Sequence, residues 1–102
     1  MTQQEVLTLL SKVKHDANAL GFEKIGLFGS FATSKAHTMS DVDVAVYSNK
    51  ERTGLGFVYL EKIEHFKSIL KKLFKRPVDV YDLNTSQTSA IKTHIEKEVI
   101  YV

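Results

Sequence analysis

The chain has 102 residues, 43% of them hydrophobic, with no cysteine and a formal net charge of +2. This length suits one compact domain, residues 1–102, built around a single hydrophobic core. The absence of cysteine excludes disulfides, thiol catalysis and cysteine-based zinc sites. So mild a charge does not predict direct nucleic-acid binding. No apolar stretch reaches the length of a membrane span and no signal peptide is visible, so we expect no membrane association and a cytoplasmic location.

The first part of the chain has the pattern of a helix followed by a strand. Thr2 and Glu5 have the spacing of a capping box, and apolar residues recur with helical period afterwards, which predicts a helix over residues 3–20. Residues 24–28 then form a short apolar run that predicts a buried strand. Gly29 and Ser30 end this run, and the residues after them are predicted to open a short helix.

The remaining elements follow from changes in hydrophobic period. The predicted elements are a strand over residues 41–46, a flexible polar loop beside the site over 48–56, a long amphipathic helix over 57–74 stopped by Pro77, a strand over 78–83, a helix over 86–97 capped by Thr85 or Ser86, and a closing strand over 99–102. This order predicts an α/β fold of mixed α+β type, a small mixed sheet with helices packed on one face. The link between the first two strands is short, so we expect them to be antiparallel or joined through one helical turn.

The turn at Gly29 and Ser30 is the first candidate site. Glycine lets the backbone approach a ligand closely, and amides at a helix start present partial positive charge to an anion. The Ser30 hydroxyl adds a donor for a terminal phosphate oxygen. The pattern therefore indicates a triphosphate-binding turn, and the alternative is an ordinary strand-to-helix turn.

Asp41 and Asp43 form the second candidate site. Residues i and i+2 of a strand share a face, so both carboxylates project from one surface. Two like charges this close repel, and a hard cation such as Mg²⁺ between them relieves the repulsion. The pair indicates a metal site, and the alternative is a solvated pair at a strand end.

The combined pattern, Gly29-Ser30, ten residues, then Asp41-x-Asp43, resembles the signature of the DNA polymerase beta-like nucleotidyltransferase superfamily. The compact chain is similar to its minimal nucleotidyltransferase branch, and the resemblance runs from residue 22 to residue 102. The family carries a third carboxylate on a later strand, and Asp79 stands at that motif position. The resemblance thus implies a polymerase beta-like nucleotidyltransferase fold with Asp41, Asp43 and Asp79 as catalytic, metal-binding residues on its open face.

The resemblance also implies an activity. The expected reaction is Mg²⁺-dependent transfer of AMP from ATP to an acceptor hydroxyl, with Mn²⁺ as a possible substitute and with Gly29, Ser30 and Lys35 binding the nucleotide. The resemblance extends to minimal nucleotidyltransferases that pair with HEPN-type ribonuclease toxins, some of which adenylylate a toxin tyrosine, and this implies a toxin partner and an antitoxin role. A homo-oligomer is also left open.

The chain departs from the family pattern after the turn. Many relatives have arginine and glycine where this chain has Thr33 and Ser34. Threonine cannot replace the bidentate phosphate contact of arginine, although Lys35 or His37 can supply a charge or a donor. The alternative function is therefore a catalytically weak antitoxin or binding module that neutralises its partner by contact. Asp82 lies on the opposite strand face from Asp79 and is interpreted as a structural residue.

Overall fold

The fold is a mixed α/β arrangement, and the computed structural model describes residues 1–36, 40–84 and 89–102. Its strands form one sheet in the order β3-β2-β1-β4, with β2 and β3 parallel and β1 antiparallel to both of its neighbours. The predicted mixed sheet and antiparallel first pair are confirmed. No helix within the described residues is long and apolar enough to cross a membrane. The elements are α1 (Gln3–Lys12), α2 (Lys14–Ala19), β1 (Phe22–Phe28), β2 (Val42–Ser48), α3 (Lys50–Thr53), α4 (Phe57–Phe74), β3 (Val78–Asp82), α5 (Ser89–Glu98) and β4 (Ile100–Tyr101).

The register of β2 decides which side chains share a face of the sheet. Asp43 lies opposite Phe28 of β1 and beside Asp79 of β3. Residues paired across neighbouring strands point to the same side, so the two carboxylates project from one face. The valines that alternate with Asp43 along β2 point to the other face.

The main hydrophobic core lies on the face opposite the carboxylates. Helices α1, α2 and α4 cover this face, and the Phe22 and Phe66 rings meet there with centroids 5.5 Å apart. Burial of these side chains is the principal force that fixes the helices on the sheet. The core includes Val6, Leu10, Val13, Ala17, Ile25, Leu27, Val42, Val44, Val46, Phe66, Leu70 and Phe74.

A smaller cluster lies on the carboxylate face. Ile95 of α5 packs in it with Phe28, Ala45 and Leu83. Helix α5 therefore covers part of the face that carries Asp43 and Asp79, and the rest of that face stays open.

The predicted first helix divides in two at Val13. The N–H of Val13 donates to the Leu10 carbonyl at 3.1 Å, three residues back, which tightens the last turn of α1. The helical pattern resumes when the Ala17 N–H donates to the Val13 carbonyl at 2.9 Å. Val13 is itself buried in the core, so the apolar periodicity runs through the break and does not reveal it.

The prediction of a flexible loop beside the site over residues 48–56 is wrong. Ser48 ends β2, and the Asn49 side chain caps α3 by accepting the Glu51 N–H at 3.0 Å. The Asn49 N–H also donates to the Gly21 carbonyl at 2.8 Å, just before β1 begins. This segment therefore lies at the end of the sheet remote from Asp43, because β1 and β2 are antiparallel.

The remaining elements agree closely with the pattern. Helix α4 has its predicted bounds and ends at Lys75, which caps it in the left-handed conformation with φ 56°. The closing strand is present as β4, and α5 begins at Ser89. The caps predicted at Thr85 and Ser86 lie outside the described residues.

Asp82 joins three elements, as expected of a structural residue. Its side chain is 4% exposed and accepts hydrogen bonds from the Ser48 N–H at 3.2 Å and the Asn84 N–H at 3.0 Å. The Tyr59 hydroxyl of α4 donates to it at 2.6 Å. Loss of this carboxylate would leave buried donors without an acceptor.

We predict that Asp82→Ala lowers the free energy of unfolding by about 2–3 kcal/mol, because the unpaired donors keep their desolvation cost. Tyr59→Phe removes one donor and should cost about 1 kcal/mol. Urea unfolding monitored by circular dichroism measures both changes, with Asp16→Ala on the exposed side of α2 as the control. An Asp82→Ala variant as stable as this control would contradict the structural role.

Candidate active site

Gly29 begins the candidate nucleotide-binding turn directly after β1. Its φ of 76° lies in the left-handed region that favours glycine. A Cβ atom at this position would overlap the Asp43 carboxylate. Glycine is thus required both by the backbone conformation and by the close approach of Asp43.

The turn that follows is held by backbone hydrogen bonds rather than by the predicted short helix. The Thr33 N–H donates to the Gly29 carbonyl at 3.0 Å, and the Lys35 N–H donates to the Ser30 carbonyl at 2.8 Å. Ser30 is half-buried within the turn, and the Lys35 side chain is exposed. The three predicted nucleotide-binding residues therefore belong to one compact turn.

Gln3 of α1 anchors this turn from outside it. Its side-chain amide donates to the carbonyls of Phe31 at 3.1 Å and Ala32 at 2.7 Å. In a trans peptide the C=O and the following N–H point in opposite directions, so the amides of the next residues face away from Gln3. No local pattern signals this contact, because it joins residues that are 28 and 29 positions apart along the chain.

The two positions that depart from the family pattern have different structural consequences. Ser34 adopts φ 60°, so the left-handed conformation that suits the family glycine is kept without glycine. The Thr33 hydroxyl donates to the Gly29 carbonyl at 3.1 Å. Thr33 therefore reinforces the turn and leaves the positive charge of the family arginine unreplaced at this position.

The three predicted carboxylates lie at one edge of the sheet, where β2 and β3 begin and β1 ends. Asp41 is exposed and immediately precedes β2, Asp43 is half-buried on β2, and Asp79 is exposed on β3. The parallel pairing sets Asp43 and Asp79 side by side, at a strand spacing of about 4.8 Å. The turn at Gly29 meets the same edge through its contact with Asp43.

The pKa of Asp43 reflects the burial and the charges at this edge. Its pKa is raised to about 6, first by burial and next by the negative charge of Asp79. The carboxylates of Asp41 and Glu98 raise the pKa further. A site that penalises a carboxylate in this way would gain from a bound cation, which offsets the repulsion.

Glu98 is a fourth acid that sequence reasoning missed. Its carboxylate accepts the Gly29 N–H at 3.3 Å, and its other oxygen lies 3.4 Å from His94 Nε2. Glu98 ends α5 and is separated from Gly29 by 69 positions, so only the packing of α5 brings it here. No local motif signals such a contact.

Arg76 is the second residue that the motif did not reveal. Its guanidinium lies 5.4 Å from the centroid of the buried Phe31 ring and donates to the Ser40 carbonyl at 3.3 Å. Phe31 belongs to the turn and Ser40 precedes Asp41. Arg76 therefore links the two halves of the candidate site and brings a positive charge beside them.

The oxygen atoms at this site suit a hard cation that is coordinated jointly by the protein and by the phosphates of a nucleotide. Within residues 1–36, 40–84 and 89–102, no three His, Cys, Asp or Glu side chains are gathered closely enough to bind one ion. Mg²⁺ commonly takes only one or two protein carboxylates and completes its shell with phosphate oxygens and water. An all-oxygen, net-negative edge next to the candidate nucleotide-binding turn fits that mode of binding.

Comparison with known proteins agrees with this geometry. A family model described as polymerase beta, nucleotidyltransferase matches residues 11–102. The protein adenylyltransferase MntA of Thermococcus cleftensis is 30% identical over 103 residues, an alignment that covers 100% of this chain and 97% of that protein.

Solved structures give the same fold. One described as a minimal nucleotidyltransferase superposes with a TM-score of 0.80 at 22% identity, covering 98% of this chain and 95% of its own. A toxin–antitoxin structure with AMP-PNP gives a TM-score of 0.68 at 23% identity, covering 92% of this chain and 69% of the other. A mutant of the toxin–antitoxin pair MntA-HpeT gives 0.62 at 20% identity, with 99% and 71% covered.

We predict a pH dependence of stability from Asp43. Its folded pKa of about 6 exceeds the unfolded value of about 4, so the folded state holds a proton between these limits that the unfolded state has lost. The penalty from Asp43 is therefore absent below about pH 4 and complete above about pH 6. Without metal, Asp43→Asn should raise the melting temperature at pH 7 and not at pH 4.

Thermal melts of the wild type, Asp43→Asn and the control Asp16→Asn from pH 4 to pH 8 measure this effect. The gain at pH 7 should be on the order of 1 kcal/mol or less, since solvent screens this half-exposed group. A gain that is the same at every pH would show that Asp43 does not titrate in this range.

Proposed function

This chain belongs to the polymerase beta nucleotidyltransferase family, and on that premise we propose that it transfers AMP from ATP to a hydroxyl of a partner protein in a Mg²⁺-dependent reaction. The observation that carries the proposal is the pairing of Asp43 with Asp79 beside the Gly29 turn. One edge of the sheet thereby offers carboxylates for a cation and a backbone turn for a triphosphate.

In this proposal the carboxylates of Asp41 and Asp43 would hold the metal that accompanies the triphosphate, and Asp79 would help to hold a second metal ion. Mn²⁺ is an acceptable replacement because it takes the same oxygen ligands. The metal, when bound, neutralises phosphate charge and lowers the pKa of the acceptor hydroxyl. The raised pKa of Asp43 is consistent with this assignment, since it arises first from burial and next from the neighbouring carboxylates, and a bound cation would offset both.

The turn orients the nucleotide. The Gly29 residue lets the backbone approach the phosphates, the Ser30 hydroxyl donates to a phosphate oxygen, and the exposed Lys35 side chain adds positive charge. Gln3 keeps the turn in place through its bonds to two carbonyls. Orientation of this kind reduces the entropic part of the barrier to transfer.

The chemical step is an in-line displacement at the α-phosphorus. The acceptor oxygen forms a bond to phosphorus while the bond from phosphorus to the oxygen shared with the β-phosphate breaks, which releases pyrophosphate. Asp79 takes up the proton of the acceptor hydroxyl. This role suits Asp79 because it is exposed at the edge where an acceptor must enter.

We place the acceptor on a tyrosine of a HEPN-type toxin, so that the chain acts as an antitoxin in the cytoplasm, where ATP is present. Support comes from the MntA relative, which is named a protein adenylyltransferase, and from the likeness in fold to toxin–antitoxin structures, one of them with AMP-PNP.

A second candidate function is an antitoxin that acts by contact alone. Thr33 favours it, because this residue stands in place of the family arginine and its hydroxyl is bonded to the Gly29 carbonyl. Arg76 donates to the Ser40 carbonyl and lies over the Phe31 ring, so its guanidinium is already engaged by these two residues.

Co-expression with the proposed HEPN-type toxin partner separates the two functions. We predict that the wild-type chain and the control Asp16→Asn add one adenylyl group to the toxin, seen by intact-mass spectrometry. Asp79→Asn should reduce this transfer by about 100-fold or more, as expected for loss of a residue that moves a proton. A neutralised toxin that never gains mass would contradict adenylylation and favour the contact-only function.

A further inference from the structure

Helix α4 carries a continuous outward stripe that the proposed chemistry does not use. Its members recur at steps of four and three residues, which is the spacing of one helix face that can pack on another helix. All of them are exposed, whereas Phe66, Leu70 and Phe74 of the same helix are buried. The outward stripe consists of Phe57, Glu61, Glu64, Ser68, Lys71 and Lys75.

Along the helix, the stripe begins with an aromatic residue, continues with two acidic residues and a small one, and ends with two basic residues. In the described part of the chain, the ion pairs found lie on α5, between Lys92 and Glu96 and between His94 and Glu98. The charged side chains of the stripe therefore make no ion pair with other described residues of the chain. The helix dipole does not explain the acids, because its effect is confined to the first turn and the first turn of α4 has no acid.

Exposed apolar side chains accompany the stripe at the start of α4. Phe57 is 85% exposed, Leu55 is 74% exposed, and Val58 and Leu60 are both more than half exposed. Single exposed apolar residues are ordinary, but these four lie within six positions at the start of α4. Phe57 is the one of them that belongs to the outward stripe.

We propose that the outward stripe packs against the same stripe of a second copy of this chain, with the two α4 helices antiparallel about a two-fold axis that passes between Glu64 and Ser68. Reversal about this axis maps the stripe onto itself. Glu61 then faces Lys71 of the second copy, and the same pair recurs on the other side of the axis. Charge complementarity with itself is the property that a two-fold interface needs.

The other positions also match under this reversal. Glu64 faces Ser68 of the second copy, which supplies a hydroxyl donor and leaves room for close approach near the axis. Phe57 faces Lys75 of the second copy, where the ammonium can lie over the ring. Alternating steps of three and four residues suit a crossing angle near 20°, as in two-helix packing.

The dimer leaves the candidate active site free. Helix α4 lies on the face of the sheet that packs the valines of β2, and Asp43 and Asp79 project from the other face. Self-association is therefore expected to be independent of nucleotide binding, and each copy keeps its site open to an acceptor protein.

Sedimentation equilibrium across concentrations up to about 1 mM tests the proposal. The wild type should shift from the monomer mass of 11.5 kDa to twice that value. Lys71→Glu and Glu61→Lys should each weaken association roughly tenfold or more, because each places like charges opposite one another. The double variant Glu61→Lys with Lys71→Glu should recover it, since the pair is restored with its signs exchanged.

Three controls keep the result specific. Lys14→Glu makes the same charge change on α2 and should associate like the wild type, whereas Phe57→Ser should weaken association without any charge change. ATP binding should be unaltered in every variant, and so should melting curves measured at a concentration low enough for the wild type to be monomeric. A wild type that stays at 11.5 kDa throughout would overturn the proposal.

Failure of the double variant to recover association would also overturn the proposal. The stripe would then bind a different protein, because the substitutions exchange the charges on both sides of the interface only when both sides are copies of this chain.

Discussion

Parallel pairing of β2 with β3 is the constraint on which the rest of the structure depends. It forces two carboxylates, Asp43 and Asp79, into neighbouring positions on one face of the sheet. Burial of Asp43 and, next, the negative charge of Asp79 raise the pKa of Asp43 to about 6. The pairing persists because the valines on the other face of the same strands are buried under α1 and α4. Burial of the core thus stabilises an arrangement in which like charges repel one another. Such compensation is common at sites that bind a ligand.

The turn at Gly29 is the second part of this arrangement. Its backbone is fixed by the left-handed glycine, by the carboxylate of Asp43 above it and by the Gln3 side chain beside it. Ser34 keeps the conformation where the family has glycine, so the shape of the turn survives the change. Thr33 does not keep the charge of the family arginine. Shape and charge are separable here, and the proposed activity depends on how much of that charge Lys35 and Arg76 provide.

Local patterns predicted the features that depend on nearby residues. The long helix α4, the mixed sheet and the antiparallel first pair followed from hydrophobic period and loop length. The position of Asp43 on the face opposite the valines of β2 followed from strand alternation. Contacts made by tertiary packing were missed: Glu98 reaches Gly29 across 69 positions. The break at Val13 was missed because a buried residue continues the apolar pattern through it.

The two faces of the sheet separate the two proposed tasks of this nucleotidyltransferase, with nucleotide chemistry on the carboxylate face and self-association on α4. The central claim is that the edge at Asp43 binds a metal–nucleotide complex. Calorimetric titration with ATP, with and without Mg²⁺, tests it most directly. The account predicts binding only with the metal and loss of most binding in Asp41→Asn and Asp43→Asn. Equal affinity without the metal, or in both variants, would contradict it.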